Sequence, residues 1–383
     1  MTKVNKQQVV IVGGGFVGCL AAIMLAKLNI NSTIIEAKPA NNSTSHDPRG
    51  IALNYASCQL LNTLNFWPTL SKTAMPIKTV HVSTRGAFSK VRFYAKDRGL
   101  DYLACVIEGQ HLLNTLVEHT QQNELIQWRQ PETVKTIKQT KNNIEVTLES
   151  GESLSAQLLL AADGQRSFCR KLLGIQAVDK TTEHALLTNI TLQPSHPHTA
   201  YERFTPEGTI ALLPLTSNQY KLVITGSKQQ INDWQSLPEE HFLDKLQHSF
   251  GLFAGKFSAI SQRIHYPLTE MRTSQQTQTR AILLGNAAHA LHPIAAQGLN
   301  LAIRDLTQLI DLLSGAIRSH QDIGNNVLLA GYEKAVKTSQ STIIKLTNVL
   351  SKLQGRLLSR SALALVANCP IIQSVIETQA LGI

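Results

Sequence analysis

Gly13, Gly15 and Gly18 stand in the spacing GxGxxG directly after the apolar run "QVVIV", and Glu36 closes a second apolar run eighteen residues beyond Gly18. This pattern suits a nucleotide. Gly13 permits a tight turn, Gly15 lets the backbone approach a pyrophosphate, and Gly18 lets the following helix pack on the strand. That helix start offers free N–H groups to phosphate oxygens, and Glu36 would accept hydrogen bonds from an adenosine ribose. A second constellation lies far along the chain. In "AILLGNAAHALHPIAAQGLNLAIRD" (281–305) an apolar run stops at Gly285-Asn286, small residues follow, and a helical pattern starts near Gly298. Here too something is held between the end of a strand and the start of a helix. His289 and His292 are three residues apart with no third ligand in sight, so no metal site is expected. No Ser/His/Asp spacing and no paired catalytic carboxylates are evident.

The elements that must position these residues follow from periodicity. A strand is expected over 8–12, a helix to about Leu28 and a second strand over 33–36. The polar loop "PANNSTSHDPRG" (39–50) leads into a stretch read as helical, "IALNYASCQLLNTLN". Weak strands follow at 77–82 and 91–94. "CVIEGQHLLNTLVEHT" (105–120) reads as a helix with Leu112, Leu113, Leu116 and Val117 on one side. Ile144, Val146 and Leu148 alternate as a half-buried strand, and "LLLAAD" (158–163) suits a strand buried on both faces. From about 182 to 226 short strands separated by turn residues have antiparallel character. Nucleotide-type features resume at Ala281. The expected architecture is therefore α/β: a discontinuous GxGxxG-type cofactor domain (1–75, 105–180 and 275–325) and an inserted antiparallel sheet domain (76–104 and 181–274). A C-terminal helical region (326–383) completes it.

Composition narrows the function classes. The chain of 383 residues is 43% hydrophobic and 16% charged, as a folded globular protein should be. Its net charge of +10 invites anionic partners, but aromatics are only 5% and no basic run is interleaved with them, which argues against nucleic acid. Five scattered cysteines without CxxC spacing suit a reducing cytoplasm better than a disulfide framework. Lys3 and Lys6 before twenty mostly apolar residues imitate a signal or anchor segment. The glycines that interrupt it are explained by a strand, turn and helix and not by a membrane span. Near the C-terminus Ile343, Leu346, Leu350, Leu353 and Leu357 form a stripe at helical spacing. Lys337, Lys345, Lys352, Arg356 and Arg360 lie off it. Either a helix packed on the core with a solvated basic face, or an amphipathic helix touching anionic lipid or a partner protein, fits that pattern.

Three separated elements, GxGxxG at 13–18, "AADGQRS" at 161–167 and "LLGNAAHALHPIAAQGLNLAIRD" at 283–305, together resemble the FAD-dependent aromatic hydroxylases. "DPRGIALN" (47–54), "VHVSTRGAF" (80–88) and "AYERFTPEGTIALLPL" (200–215) look like the ubiquinone-biosynthesis hydroxylases within that family, closest to the 2-octaprenyl-6-methoxyphenol hydroxylase branch. The resemblance implies a Rossmann-like FAD domain with an inserted β-sheet substrate domain. It implies FAD contacts at Gly13, Gly15, Gly18, Glu36, Arg49, Gln110, Asp163 and Gly164, and again at Asn286, Pro293, Gln297, Gly298, Leu299 and Asn300. In that branch Asn286 replaces the commoner Asp, and its amide can still bond a ribityl hydroxyl. As a reading of the residues alone, Asn286 also fits a generic helix cap, and Arg49 a solvated loop charge.

The third element supports a flavin independently. Leu299, Ala302, Leu306, Ile310 and Leu313 form a helical stripe. The start of that helix carries roughly half a positive charge and would face the pyrimidine edge of the ring. Pro293 stiffens the loop, while Ala295, Ala296 and Gly298 let backbone lie close to a flat ring. Ala296 and Ala302 stand where the family usually has glycines.

As the resemblance implies, the activity is hydroxylation of the aromatic ring of a polyprenylated phenol with NAD(P)H and O2, the flavin carrying the chemistry. The expected substrate wall comprises Tyr201, Arg203, Phe204, Leu213 and Pro214. Other ubiquinone-biosynthesis proteins are candidate partners, and the expected location is cytoplasmic, with peripheral contact to the inner membrane left open. The alternatives are hydroxylation at another ring position or of a soluble aromatic, FAD-dependent prenyl reduction, and a non-catalytic flavoprotein scaffold. Ring position, prenyl length and oligomeric state are not encoded in these patterns.

Overall fold

The first strand, Asn5–Val12, alternates Val9 and Ile11 toward one hydrophobic cluster with Val10 and Val12 toward another, all of them buried. A strand apolar on both sides must be covered on both sides, and this one pairs parallel with both of its neighbours. The computed structural model describes residues 5–39, 50–87, 90–194, 196–291, 297–352 and 370–382. Among these residues the sheet has eight strands. Its main path runs Thr277–Gln278, Ala281–Leu283, Ser153–Ala161, Asn5–Val12, Ser32–Ile35 and Ile126–Arg129, with the hairpin of Val134–Gln139 and Ile144–Leu148 paired to Ser153–Ala161. Leu158 and Leu160 face one core while Leu159 and Ala161 face the other, as the uninterrupted run at 158–161 requires.

The helix Phe16–Ala26 returns across this sheet with nine consecutive buried residues from Gly18 to Ala26. It is apolar on every side because the sheet lies on one side and the helices Gly109–Gln121 and Gln297–Arg318 on the other. The latter carries the expected stripe, with Ala302, Leu306, Ile310 and Leu313 buried and Leu299 packed at the cluster edge.

A second sheet, of nine strands among the described residues, is antiparallel apart from one join. Its path is His289–Ala290, Ile264–Thr273, Ala177–Gln193, Gln219–Gly226, Gly208–Pro214, Thr199–Thr205, Thr79–Thr84 and Lys90–Tyr94, and Lys256–Ile260 also pairs Ala177–Gln193. Thr199–Thr205 and Thr79–Thr84 run parallel. The helices Lys228–Ser236 and Glu239–Phe250 cover one face, where Trp234, Phe242, Leu246 and Phe250 are fully buried.

Three local expectations differ from the structure. Residues 51–54 are not helical: Gly50–Asn54 is a strand paired with Ala104–Glu108, and the helix begins only at Tyr55, where the Asn54 side chain accepts from the Ser57 amide at 3.0 Å. Residues 105–108 are likewise strand, and their helix starts at Gly109. Apolar runs of four residues fit either period, and the pairing of these two distant segments decides both. The first of the expected short strands near 182 is one long strand of 17 residues, Ala177–Gln193, able to pair with three partners. Among the described residues no helix is long and apolar enough to cross a membrane.

Candidate functional site

A cavity of about 690 Å³ lies between the two sheets. One wall is built from loop ends. At the glycine turn, Gly13 adopts φ +104° and its amide donates to the Ile35 carbonyl at 2.8 Å. A Cβ at Gly13 would come within 2.4 Å of the Ala162 carbonyl oxygen, and one at Gly18 within 1.9 Å of the Gly13 carbonyl oxygen. Gly15 is different: among the described residues nothing lies within 4 Å of its Cβ position, and it borders the cavity. The helix that begins at Phe16 has no side-chain cap and no acid in its first turn, so its N–H groups point at whatever fills this space. Glu36 accepts from the Gly14 amide at 2.7 Å and the Lys38 amide at 3.0 Å, bracing the turn from behind.

Next to this turn, Ala162, Gly164 and Gln165 line the cavity. Asp163 does not. Its carboxylate accepts from the Ser167 hydroxyl at 2.6 Å and from the Phe168 and Cys169 amides at 2.8 and 3.0 Å, so it caps the short helix Phe168–Leu172. From the neighbouring strand Ala281–Leu283 the chain enters a tight turn, Gly285–Ala287, that leaves Asn286 exposed to the cavity. Gln297, Gly298, Leu299 and Asn300 line it from the start of the long helix. Asn300 also ties that helix to the strand Gly50–Asn54, part of a small three-stranded sheet with Ala104–Glu108 and Met75–Ile77: its Oδ1 accepts from the Asn54 amide at 3.0 Å and its Nδ2 donates to the Ala52 carbonyl at 2.9 Å. Behind the turn, buried His289 meets Asp305 at 2.9 Å, and Gln340 donates to the same carboxylate oxygen at 2.7 Å. Arg49, His292, Pro293, Ala295 and Ala296 lie outside the described residues.

The opposite wall is the open face of the second sheet. Ala200, Glu202 and Phe204 reach it from one strand, Thr209, Ala211 and Leu213 from the next, and Lys221, Val223 and Thr225 from the third. Phe204 and Leu213 were expected here. Tyr201 lines the cavity as well, whereas Arg203 and Pro214 require correction. Arg203 belongs to the other face, where it donates to the Ser249 carbonyl at 3.2 Å and the Ser83 hydroxyl at 3.1 Å and lies 5.0 Å from the Phe253 ring centre. Tyr201 borders the cavity, but its ring packs edge-on to Phe250 and Phe253, 5.9 Å from each. Pro214 is buried and not part of the lining. Strand side chains alternate, so Arg203 does not share a face with Phe204. Gln110 is also absent from the lining; it bonds Asn114 at 2.8 Å on its own helix. The C-terminal helix Pro370–Leu381 supplies Ile376, Ala380 and Leu381, fastened where Arg98 meets Glu377 at 2.6 Å. Of the apolar stripe, Ile343, Leu346 and Leu350 fall in the helix Asn326–Lys352, whereas Leu353 and Leu357 lie outside the described residues.

Known proteins share this arrangement. A family model described as FAD binding domain matches residues 6–344. The chain belongs to this FAD-binding family. Ubiquinone hydroxylase UbiL of Rhodospirillum rubrum is 29% identical over 93% of this chain and 83% of its own length. The 3-demethoxyubiquinol 3-hydroxylase of Escherichia coli is 30% identical over 81% of this chain and 80% of its own. The crystal structure of p-nitrophenol 4-monooxygenase PnpA from Pseudomonas putida superposes with a TM-score of 0.80 at 18% identity, covering 99% of both chains, a likeness of fold.

The protein is thus an FAD-dependent aromatic monooxygenase with NAD(P)H and O2 as co-substrates. The loop wall fits its cofactor. Among the described residues nothing occupies the Cβ positions of Gly15 and Gly298, each at a helix start, the room a pyrophosphate and a flat ring need. The sheet residues that sequence reasoning missed carry one available signal. Ile210 and Leu212 are the more apolar phase of their strand and belong in the core, which turns Thr209, Ala211 and Leu213 outward to the cavity. Nothing local marks Lys221, Glu202 or the C-terminal helix.

Proposed function

We propose that this protein hydroxylates the aromatic ring of a polyprenylated phenol in ubiquinone biosynthesis, converting a 2-polyprenyl-6-methoxyphenol to the benzoquinol. The observation that carries the reading is the cavity itself. Cofactor-binding loops form one wall, and the other is a largely apolar sheet face that continues to Val80, Val82, Val91 and Phe93 and under the helix bearing Ile376, Ala380 and Leu381. A soluble phenol needs no such extension, whereas a prenyl chain gains about 25 cal/mol for each Å² of apolar surface it hides there. The names of the relatives, hydroxylases of ubiquinone and demethoxyubiquinol, support the same substrate class.

Each wall has its own task in this reading. Bound FAD supplies hydride acceptance and O2 activation, which no side chain performs alone. Gly15 and the N–H groups after it hold the pyrophosphate, Glu36 keeps the turn in shape, and Asn286 with Gln297–Asn300 borders the ring system. Phe204 and Leu213 orient the phenol, and the apolar lining keeps water away from the reacting atoms. Mass spectrometry of the quinone pool in cells lacking this protein tests the proposal. Accumulated polyprenyl methoxyphenol is the expected result, and a normal ubiquinone pool would overturn it.

A further inference from the structure

The cavity uses one face of the second sheet, and the other face carries an apolar tip at the sheet's edge. The helix Glu239–Phe250 ends at Gly251 and the chain turns back at Gly255, with φ +89° and +115°. Between them Ala254 is buried, whereas Leu252 is 74% and Phe253 38% exposed. Singly exposed apolar residues are ordinary. Among the described residues these two are the only adjacent pair of large exposed hydrophobic side chains. The tip is held firmly. Gln247 spans it, donating to the Gly251 and Gly255 carbonyls at 2.7 and 3.3 Å and accepting from the Phe257 amide at 3.0 Å. A Cβ at Gly255 would come within 2.3 Å of the Pro194 carbonyl oxygen, so the loop is also packed from beneath.

Cations flank the tip. The Phe253 ring centre lies 5.0 Å from that of His81 and 5.0 Å from the Arg203 guanidinium. Cross-strand pairing sets His81 opposite Arg92, and Ser83, which accepts from Arg203, opposite Lys90. Residues directly opposite point to the same side, so Lys90 and Arg92 stand on the face that Phe253 covers. Lys96 lies 5.3 Å from the ring centre of Tyr94 on the same strand, and Lys256 follows the loop directly. Lys90, Arg92, Lys96 and Lys256 are all exposed, and among the described residues no carboxylate pairs with any of them. The acids of the neighbouring helix, Glu239, Glu240 and Asp244, belong to its first half, and the loop leaves its other end. Val91 and Phe93, which alternate with Lys90 and Arg92 on the edge strand, line the cavity. One strand thus separates the cationic face from the apolar chamber.

We propose that Leu252 and Phe253, with Lys90, Arg92, Lys96 and Lys256, form the surface by which this protein docks on an anionic lipid bilayer. The inference rests on the prenylated-phenol reading above and adds to it where such a substrate is met. A cavity of about 690 Å³ suits one drug-sized ligand, and here a flavin and a ring share it, so a long prenyl chain is not enclosed whole. Docking at this edge keeps the rest of the chain in lipid beside the strand that borders the chamber. Apolar insertion and basic attraction are the two signals that stable peripheral anchoring takes. Each lysine or arginine near an anionic surface adds about fivefold in affinity.

The test sediments the flavin-loaded full chain with vesicles of phosphatidylcholine alone and of equal parts phosphatidylcholine and phosphatidylglycerol. The wild-type protein is expected to bind the mixed vesicles and to leave them as salt rises. The double variant Lys90→Gln, Arg92→Gln should bind them about twentyfold more weakly, and Leu252→Ser about tenfold more weakly. Both should keep full flavin content. Leu252→Trp should bind at least as well, with emission quenched by brominated lipid. No binding by the wild type, equal binding to the neutral vesicles, or undiminished binding in both weakened variants overturns the proposal. So does loss of a dimer in Leu252→Ser with vesicle binding intact, which would assign the tip to a second copy of the chain. Hydroxylation of a water-soluble, short-chain phenol reads the underlying function separately and should be unchanged in these variants, while turnover of a long-chain phenol held in vesicles falls. A wild type that docks through this face yet hydroxylates neither phenol would remove the substrate reading while the surface stands. Hydroxylation of both without vesicle binding would remove the surface alone.

Discussion

The two walls of the cavity are built on different physics. The loop wall is backbone: a glycine turn, a helix start without a cap, and a second turn at Gly285–Ala287. The sheet wall is side chains standing on strands that are distant in sequence, with residues 80–93 beside 200–225. A backbone site depends on a few consecutive residues and tolerates few changes. A side-chain wall can be rewritten one residue at a time without disturbing the sheet, which is how one fold serves many aromatic substrates.

The largest expected break in this contrast is at Gly15. Its backbone, φ −80° and ψ −169°, accepts a side chain, and among the described residues nothing lies within 4 Å of the Cβ position. Gly15→Val should therefore fold and yet be purified without flavin, seen as lost visible absorbance. Gly18→Val should yield no folded protein, since its Cβ would meet the Gly13 carbonyl oxygen at 1.9 Å. A yellow Gly15→Val protein of full flavin content would detach the turn from the cofactor.

A smaller effect separates the two faces of one strand. Phe204→Ala should raise KM for the phenol by about tenfold through lost apolar contact, with flavin content unchanged. Arg203→Met should leave KM alone and lower unfolding stability by about 1–2 kcal/mol, because it gives up bonds to Ser249 and Ser83. The reverse pattern in kinetics and denaturant melts would mean that the strand faces are exchanged.

The smallest expected effect concerns pH. Burial of His81, helped by Arg92, Lys90 and Arg203, lowers its pKa from 6.5 to about 4. The unfolded chain then binds the proton first, so the stability this group permits is complete above about pH 6.5 and is lost as pH falls toward 4. His81→Leu should flatten that acid loss by about 1 kcal/mol in melts compared at neutral and acid pH. An unchanged acid limb would show that His81 is already protonated in the folded state.

The turn at 13–18, the parallel strands on either side and the segment 281–305 are legible because their chemistry is local: glycine spacing and apolar period dictate what a few consecutive residues can do. Asp163 shows the limit of such reading. The same residue can face a cofactor or cap a helix, and three donors from residues 167–169 decide for the cap. The sheet wall was beyond local reading for a related reason. A strand's pattern says that two faces exist, but which face meets the cavity depends on pairing with segments more than a hundred residues away and on the helices that claim the other side. Thus the amino-acid sequence by itself determined the cofactor, the α/β architecture and the family. Tertiary structure alone chose Phe204 over Arg203 for the cavity lining, buried Lys221 in the same sheet face and brought the C-terminal helix to the chamber, because each is settled by which distant surfaces bury one another.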